Sequence, residues 1–363
     1  MNEDIFLLSH RKEIAVEAVR QKFDVTLVAK DTGRRTEIQA LGLHMIDMPI
    51  NPTGMNLWQE LKTFCFLRRL YRREQPDIIH HIGLKSVLWG GLAAKTVRVH
   101  AKIINAIAGL GITFSQDKLS WMARGILRII RFSNGSNVQF IFQNHQDKAL
   151  FLQHKVTIPE RTIFIKGSGV DLDKFAYVPI PETTPVKIIF LARMVEEKGV
   201  GVLIEAACKL KDEYADRVEF WLCGGLSKNP KAITHQWLNE HCDGQYIRWL
   251  GHCNDIRELL EQCHIVALPS YYREGVPKSL IEACAIGRPI VTCDSIGCRE
   301  TVDDGKNGFL IPIKNSDFLA KKLRILIEDK ELRNRMGRYS REKAETEFSV
   351  VDVVHTHMVL YNF

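Results

Sequence analysis

Along the whole chain, short runs of β-branched and aromatic residues alternate with longer stretches whose apolar positions recur every three to four residues. In the first half the runs predict strands over 24–29, 77–80, 102–105, 138–142 and 162–166. The helical period there predicts helices over 56–74, 84–97 and 117–132. The second half repeats the scheme, with strands over 187–192, 218–223, 247–250, 264–268 and 289–292. Its helices fall over 200–211, 256–261, 279–286, 317–327 and 330–347. Strand, crossover helix, strand is the pattern of a parallel sheet covered by helices on both faces. Two such series predict two doubly wound α/β domains, joined near Gly167-Ser-Gly-Val-Asp171 and the Pro-rich 178–185. Ligands of open α/β sheets bind beyond the carboxyl ends of the strands, so the expected site is a cleft where two such domains face each other.

A chain of 363 residues, 45% hydrophobic and 26% charged, fits two globular domains and excludes disorder. No run of 18 uninterrupted apolar residues occurs; the best candidate, 101–114, carries Lys102 and Asn105. A transmembrane helix is thereby excluded. The first eleven residues lack a basic segment ahead of a long apolar stretch, which argues against a cleaved secretion signal. The nine cysteines are an odd number without a Cys-x-x-Cys pair, and Cys223 and Cys284 sit inside apolar runs. They read as small core residues of a reduced, cytoplasmic chain rather than as disulfides or zinc ligands. Charge divides unevenly: residues 1–180 hold 25 Lys and Arg against 16 Asp and Glu, and the remainder hold 25 against 27. The whole basic excess lies in the first half, where an anionic partner is expected: a phosphate-bearing ligand, a membrane surface or a nucleic acid.

Two segments carry candidate chemistry. The strand over 187–192 ends in Arg193-Met-Val-Glu-Glu-Lys198-Gly199, ahead of a helix. Cations at a strand tip and a helix entry can converge on a diphosphate with the help of the helix N-terminus; alone, such a pair also suits a solvated loop. Glu274 follows the strand over 264–268 in Ser270-Tyr-Tyr-Arg-Glu274-Gly-Val-Pro-Lys-Ser-Leu-Ile-Glu282. Gly275 allows close backbone approach to a ligand, and Pro277 suits a helix start, which places Glu282 one to two turns into the helix. The plainer reading is a helix-dipole Glu beside a surface Glu.

Taken together, Arg-x4-Lys-Gly, Glu274-x7-Glu282, Gly297-Cys-Arg-Glu300 and Asn307-Gly-Phe-Leu310 resemble the retaining glycosyltransferases of family 4, which have the GT-B fold of two facing Rossmann-like domains. A narrower resemblance, to the branch extending undecaprenyl-diphosphate-linked sugars for O-antigen, capsule or N-glycan assembly, rests on five further segments. These are Phe6-Leu-Leu-Ser-His-Arg11, His80-His-Ile-Gly-Leu-Lys85, Ile107-Ala-Gly-Leu-Gly-Ile-Thr-Phe114, Phe142-Gln-Asn144 and Gly167-Ser-Gly-Val-Asp171. The resemblance implies an acceptor-binding domain over 1–170, a nucleotide-sugar domain over 171–345 and a C-terminal helix over 346–363 packing back toward the first. It implies that Arg193 and Lys198 neutralise the donor diphosphate, that Glu282 meets the ribose hydroxyls, and that Glu274 contacts the donor sugar. Gly275, Val276, Pro277 and Lys278 would lie along sugar and phosphates, with Leu250 near the base. Ser9, His10, Arg11, Lys85, Gly109 and Gly111 would serve the acceptor side, with His80 a further catalytic candidate. Retention is implied without an enzyme nucleophile.

Two departures from the family stand out. Relatives begin with a hydrophobic strand before the Ser-His-Arg segment, where this sequence has only residues 1–4; the expectation is either a start called too late or a first domain that lacks its central strand. The family's His-x-His is replaced by adjacent His80 and His81.

Asp171-Leu-Asp173 looks like a metal-binding Asp-x-Asp but follows a Gly-rich turn, where Asp commonly caps; no metal and no cofactor are expected beyond the UDP-sugar co-substrate. In the helix over 117–132, Leu119, Met122, Ile126 and Ile129 form one face and Arg124, Arg128 and Arg131 another. The helix over 56–74 likewise sets Leu57, Leu61 and Phe64 against Arg68, Arg69, Arg72 and Arg73. Such helices suit a core as well as an anionic leaflet. A lipid-linked acceptor favours peripheral attachment to the inner face of a bacterial cytoplasmic membrane. A UDP-sugar epimerase on the same fold and a nucleic-acid binder are the alternatives; no nucleic-acid motif is present.

Overall fold

The computed structural model describes residues 1–51, 56–114, 119–135, 137–227, 231–253 and 255–362. The chain divides into two compact units, Met1–Gly169 with Val350–Phe363, and Val170–Ser349.

The first unit opens with α1 (Ile5–His10), α2 (Lys12–Arg20), β1 (Thr26–Ala29), α3 (Arg35–Gln39) and β2 (His44–Asp47). It continues through α4 (Leu57–Glu74), β3 (Ile78–Ile82), α5 (Leu84–Val97), β4 (Lys102–Ile107), α6 (Trp121–Ser133), β5 (Val138–Phe142), α7 (His145–Gln153) and β6 (Thr162–Phe164). All the pairings are parallel, but they form two sheets. Among the described residues, one contains β1 and β2 and the other runs β3-β4-β5-β6. Apolar side chains of α4, α5 and α6 pack on one face of the larger sheet, around Leu67, Val87, Leu127 and Ile103. Polar caps set the helix starts: the side-chain oxygens of Asn56, Ser120 and Asn144 accept from the amides of Trp58, Ala123 and Asp147. The α4 helix stops at Gln75, in the left-handed region (φ +43°), just ahead of Pro76.

Burial corrects the reading of both amphipathic helices. The core stripe of α6 is Ala123, Leu127 and Ile130, while Met122 and Ile126 are half-buried and Ile129 is exposed. On α4 the buried positions are Glu60, Thr63, Leu67, Leu70 and Tyr71, while Leu57 and Leu61 face solvent. The expected apolar rows are thus flanks beside the core rather than the core itself. Of the predicted 117–132 helix, residues 117 and 118 lie outside the described residues.

The second unit comprises β7 (Val186–Leu191), α8 (Val200–Tyr214), β8 (Val218–Cys223), α9 (His235–His241), β9 (Ile247–Gly251) and α10 (Ile256–Gln262). After these come β10 (Ile265–Leu268), α11 (Lys278–Ile286), β11 (Ile290–Cys293), β12 (Gly308–Ile311), α12 (Ser316–Glu328) and α13 (Lys330–Glu347). The last helix, α14 (Val350–Asn362), belongs to the first unit, where it joins α2 over the other face of the four-stranded sheet. The second unit's strands make one six-stranded parallel sheet in the order β12-β11-β10-β7-β8-β9. The chain steps from β7 outward to β9, returns to β10 beside β7, and steps outward again to β12. That is the classical doubly wound order, with its reversal between β7 and β10. Strands β7, β10 and β11 are almost wholly buried, as helices on both faces require. Buried Arg288 meets carbonyls of Val178, Leu260 and Glu261, closing the last turn of α10.

All nine cysteines are unpaired thiols, five of them buried. Among the described residues, no helix is long and apolar enough to cross a membrane.

Candidate active site

The reversal between β7 and β10 brings together the loops that carry Lys198 and Glu274. Lys198 ends a single 3-10 turn, Glu196–Lys198, and is followed by Gly199 in the left-handed region (φ +82°). A Cβ at Gly199 would stand 2.1 Å from the carbonyl oxygen of Pro269, so only glycine lets the loop after β7 rest on the end of β10. The Lys198 ammonium then reaches Glu274, Nζ to Oε2, at 2.5 Å. Ser270 donates to the other carboxylate oxygen at 3.1 Å, so both oxygens of Glu274 are held. The Tyr272 ring lies 5.8 Å from the same ammonium. A third loop, after β11, supports the second from behind: a Cβ on Gly297 would fall 2.0 Å from the Gly275 carbonyl oxygen, and Ser295 donates to the Ser270 carbonyl at 2.8 Å. Arg193, exposed on the loop after β7, opposes the rise that burial imposes on the Tyr272 phenol.

Pro277, with extended backbone, precedes α11, whose N-terminus has no side-chain cap. The helix start therefore adjoins the Glu274–Gly275 loop without a capping side chain, an arrangement that favours an anion. Gly275, Val276 and Pro277 are buried under that turn, and Lys278 is half-exposed. Glu282 is buried one turn further along. Burial pushes its carboxyl up to about 7, against the pull of Lys278 (Nζ–Oε1 3.8 Å) and Lys174. A carboxyl held there can switch between donating and accepting hydrogen bonds near neutral pH. Leu250, in β9, is half-buried against the core.

The acceptor-side candidates fall in the first unit. Ser9 and His10 end α1 and bond each other, Oγ to Nδ1 at 2.6 Å. Arg11, between α1 and α2, is buried; desolvation lowers its guanidinium to about 10, and its Nε and Nη1 find no partner among the described residues. Lys85 is ion-paired with Glu60 of α4 at 2.7 Å, while the Trp89 indole holds the other oxygen of Glu60. Gly109 and Gly111 have positive φ in the turn after β4.

The two histidines have different surroundings. His81 is buried, donating from Nδ1 to Asn105 (2.8 Å) and accepting the Tyr71 hydroxyl at Nε2 (2.9 Å). Burial lowers its pKa to about 4, so it serves as a neutral core residue. His80 bonds the Tyr361 hydroxyl of α14 at 2.7 Å and lies against His357. Burial, then His357 and Arg11, hold it well below the ordinary range. Asp171 uses its carboxylate to accept the amides of Asp173 (3.0 Å) and Lys174 (2.9 Å), a turn cap. No cluster of three or more His, Cys, Asp or Glu that could hold a metal occurs among the described residues. Sequence reasoning assigned no role to Ser270 or Tyr272; the four-residue spacing of Ser270 and Glu274 around a loop was their only signal.

Comparison with known proteins finds related families and folds. Residues 174–343 match the family described as glycosyl transferases group 1, and residues 4–144 match glycosyl transferase 4-like. A Campylobacter jejuni relative, N,N'-diacetylbacillosaminyl-diphospho-undecaprenol alpha-1,3-N-acetylgalactosaminyltransferase, is 28% identical over 92% of this chain and 90% of its own. An Escherichia coli relative, UDP-Gal:alpha-D-GlcNAc-diphosphoundecaprenol alpha-1,3-galactosyltransferase, is 23% identical over 94% and 89%. Among solved structures, Anabaena HepE in complex with UDP superposes with a TM-score of 0.76 at 18% identity, covering 97% of this chain and 96% of that one. With a doubly wound second unit matched to glycosyl transferases group 1, a first unit matched to glycosyl transferase 4-like and a GT-B fold, the chain is a glycosyltransferase.

Proposed function

We propose that this glycosyltransferase moves a hexose or N-acetylhexosamine from a UDP-sugar to an undecaprenyl-diphosphate-linked saccharide, with retention at the anomeric carbon. The observation that carries the donor half is the Lys198–Glu274 pair at the β7/β10 reversal, in front of the uncapped start of α11. Breaking the glycosidic bond leaves charge on the UDP diphosphate, and Lys198, Arg193 and the α11 amides supply preorganised positive potential for it. As the diphosphate takes over Lys198, Glu274 is released toward the donor sugar. Glu282 meets the ribose hydroxyls, Gly275 to Lys278 line sugar and phosphates, and Leu250 borders the base. Attack comes from the face the leaving group vacates, and the departing phosphate takes the acceptor proton, so no enzyme nucleophile is assigned. Diphosphate charge met by Arg193, Lys198 and α11 calls for no metal, and transfer is expected to persist in EDTA. The names of the Campylobacter and Escherichia relatives support the lipid-linked acceptor. Its contacts are assigned to Ser9, His10, Arg11, Lys85, Gly109 and Gly111, with His80 beside them.

The same reading places the protein on the inner face of a bacterial cytoplasmic membrane. Support comes from exposed Leu57 (81%) and Trp58 (76%) at the start of α4, and from Trp121 (84%) at the start of α6. Exposed Arg69, Arg72 and Arg73, and Arg124, Arg128 and Arg131, continue the two helices. Aromatic residues at headgroup depth beside cations suit an anionic leaflet.

The test is nucleotide release from a panel of UDP- and GDP-sugars, with and without undecaprenyl-diphosphate-linked acceptors. Acceptor-dependent UDP release from one donor supports the assignment and names the sugar. Release that never depends on a lipid-linked acceptor sinks it.

A further inference from the structure

Two tyrosines stand next to each other on the loop after β10, and they are held differently. The Tyr271 hydroxyl donates to Glu196 at 3.4 Å, and the Lys314 ammonium lies 4.8 Å from its ring. Tyr271 thus ties its loop to the loop after β7 and to the segment after β12. Tyr272 makes no such tie. Its backbone amide donates to Ser270 Oγ at 3.4 Å, but its hydroxyl has no hydrogen-bond partner among the described residues. The ring is half-buried, with the Lys198 ammonium 5.8 Å from its centroid, close enough for a cation–π attraction.

The surroundings of that phenol are charged. Burial raises it above its ordinary range, Glu274 and Glu197 add to the rise, and Arg193 opposes it. At neutral pH the group is therefore a protonated donor among Arg193, Lys198 and Glu274. Two neighbouring donors are engaged: Lys198 holds one oxygen of Glu274 and Ser270 the other. The Arg193 guanidinium, like the Tyr272 hydroxyl, has no hydrogen bond or ion pair among the described residues. Two uncommitted donors within electrostatic reach of each other, next to an ion pair that an anion can split, make a place for phosphate oxygens.

We infer, on the donor reading proposed above, that the Tyr272 hydroxyl is a further ligand of the donor diphosphate: a neutral donor that joins Arg193 as the diphosphate draws Lys198 away from Glu274. Its partner oxygen gains charge as UDP leaves, so the contact strengthens along the reaction.

The experiment titrates UDP and uridine by calorimetry into the full chain, into Tyr272→Phe and into Tyr271→Phe. Phenylalanine keeps the ring beside Lys198 and removes the hydroxyl. Tyr272→Phe should bind UDP about tenfold or more weakly, as for a lost hydrogen bond to a charged group, and bind uridine as before. Tyr271→Phe should change neither. Unchanged UDP affinity in Tyr272→Phe overturns the inference, while a preference of the full chain for UDP over uridine leaves the donor reading in place. Equal loss of UDP and uridine, or an equal loss in Tyr271→Phe, assigns the tyrosines to holding the loop and also overturns it. A full chain that binds UDP no better than uridine overturns the donor reading, and the inference with it.

Discussion

The two units use the same alternation of strand and helix and build different sheets from it. In the second, six strands form one parallel sheet over one continuous core, and its reversal point holds Lys198 and Glu274 at 2.5 Å. In the first, six strands form two sheets over three separate cores, with a cavity between β1 and β3. Nucleotide chemistry needs loops held to within tenths of an ångström, and the uninterrupted sheet supplies that. Gly199 and Gly297 show how closely those loops are pressed together. The first unit instead divides its strands between two sheets; buried atoms without partners among the described residues occur in both units, at Arg11, His80 and Ser86 and at Arg324 and Arg333. Chemistry should therefore be lost in the second unit without loss of fold, and stability should be lost first in the first unit.

The largest expected effect tests the first half of that statement. Glu274→Gln should lower turnover about 10²–10³-fold, the cost typical of removing one preorganised electrostatic contact. UDP affinity, read by calorimetry, should stay nearly intact, and the unfolding temperature should barely move. Equal losses of turnover and affinity would assign Glu274 to nucleotide binding or folding, and the contrast between the units would fail.

Acid separates the units next. His81 and His357 in the first unit are buried with pKa values lowered to about 4, and burial beside His357 holds His80 well below the ordinary range too. A histidine with a depressed folded pKa contributes stability above its ordinary 6.5 that is lost as pH falls toward the folded value. In the second unit His264 is lowered to about 4 as well, but Glu282 works in the opposite sense. Its carboxyl, raised from 4.5 to about 7, costs nothing below pH 4.5 and the full amount above 7. Exchange measured at pH 7 and 4.5 should therefore rise more in β3–β5 than in β7–β11. Glu282→Gln should stabilise the second unit by up to about 3 kcal/mol above pH 7 and not at all at pH 4.5. The same variant should weaken UDP binding at every pH.

How far these features were readable from sequence follows the same divide. In the second unit apolar runs located five of six strands, and the Arg-x4-Lys and Glu-x7-Glu spacings marked the loops that the fold brings together. The strand β12 escaped because Gly308–Ile311 is only four residues long and its face at Leu310 is half-exposed. The first unit was harder. Strand β2, His44–Asp47, is four residues long with one buried position, Met45, too little pattern to register. The apolar rows of α4 and α6 read as core or membrane faces, and only the fold showed that Leu67 and Leu127 face the core while Leu57 and Met122 flank it. Partners distant in sequence, such as Tyr361 on His80, have no local signal at all.

Smaller effects sharpen the picture of the first unit. Tyr71→Phe removes the hydroxyl that meets His81 Nε2 at 2.9 Å in a buried site. The orphaned acceptor should cost about 1–2 kcal/mol, seen as faster exchange in β3 and β4 with UDP affinity unchanged.

The smallest effect concerns the surface of α6. Arg128 is exposed and shares with Arg124, Arg131 and Leu119 the lining of a cavity on that helix, so the three cations act on whatever anion approaches it. A basic residue near an anionic leaflet contributes about 1 kcal/mol, a factor of about five in binding. Arg128→Gln should lower partition onto vesicles containing anionic lipid by about that factor and leave partition onto neutral vesicles unchanged. Arg128 is exposed, so the unfolding temperature should barely move. If partition falls equally on both vesicles, attachment runs through Trp58 and Trp121 alone, and the basic excess of the first half answers to the acceptor diphosphate rather than the leaflet.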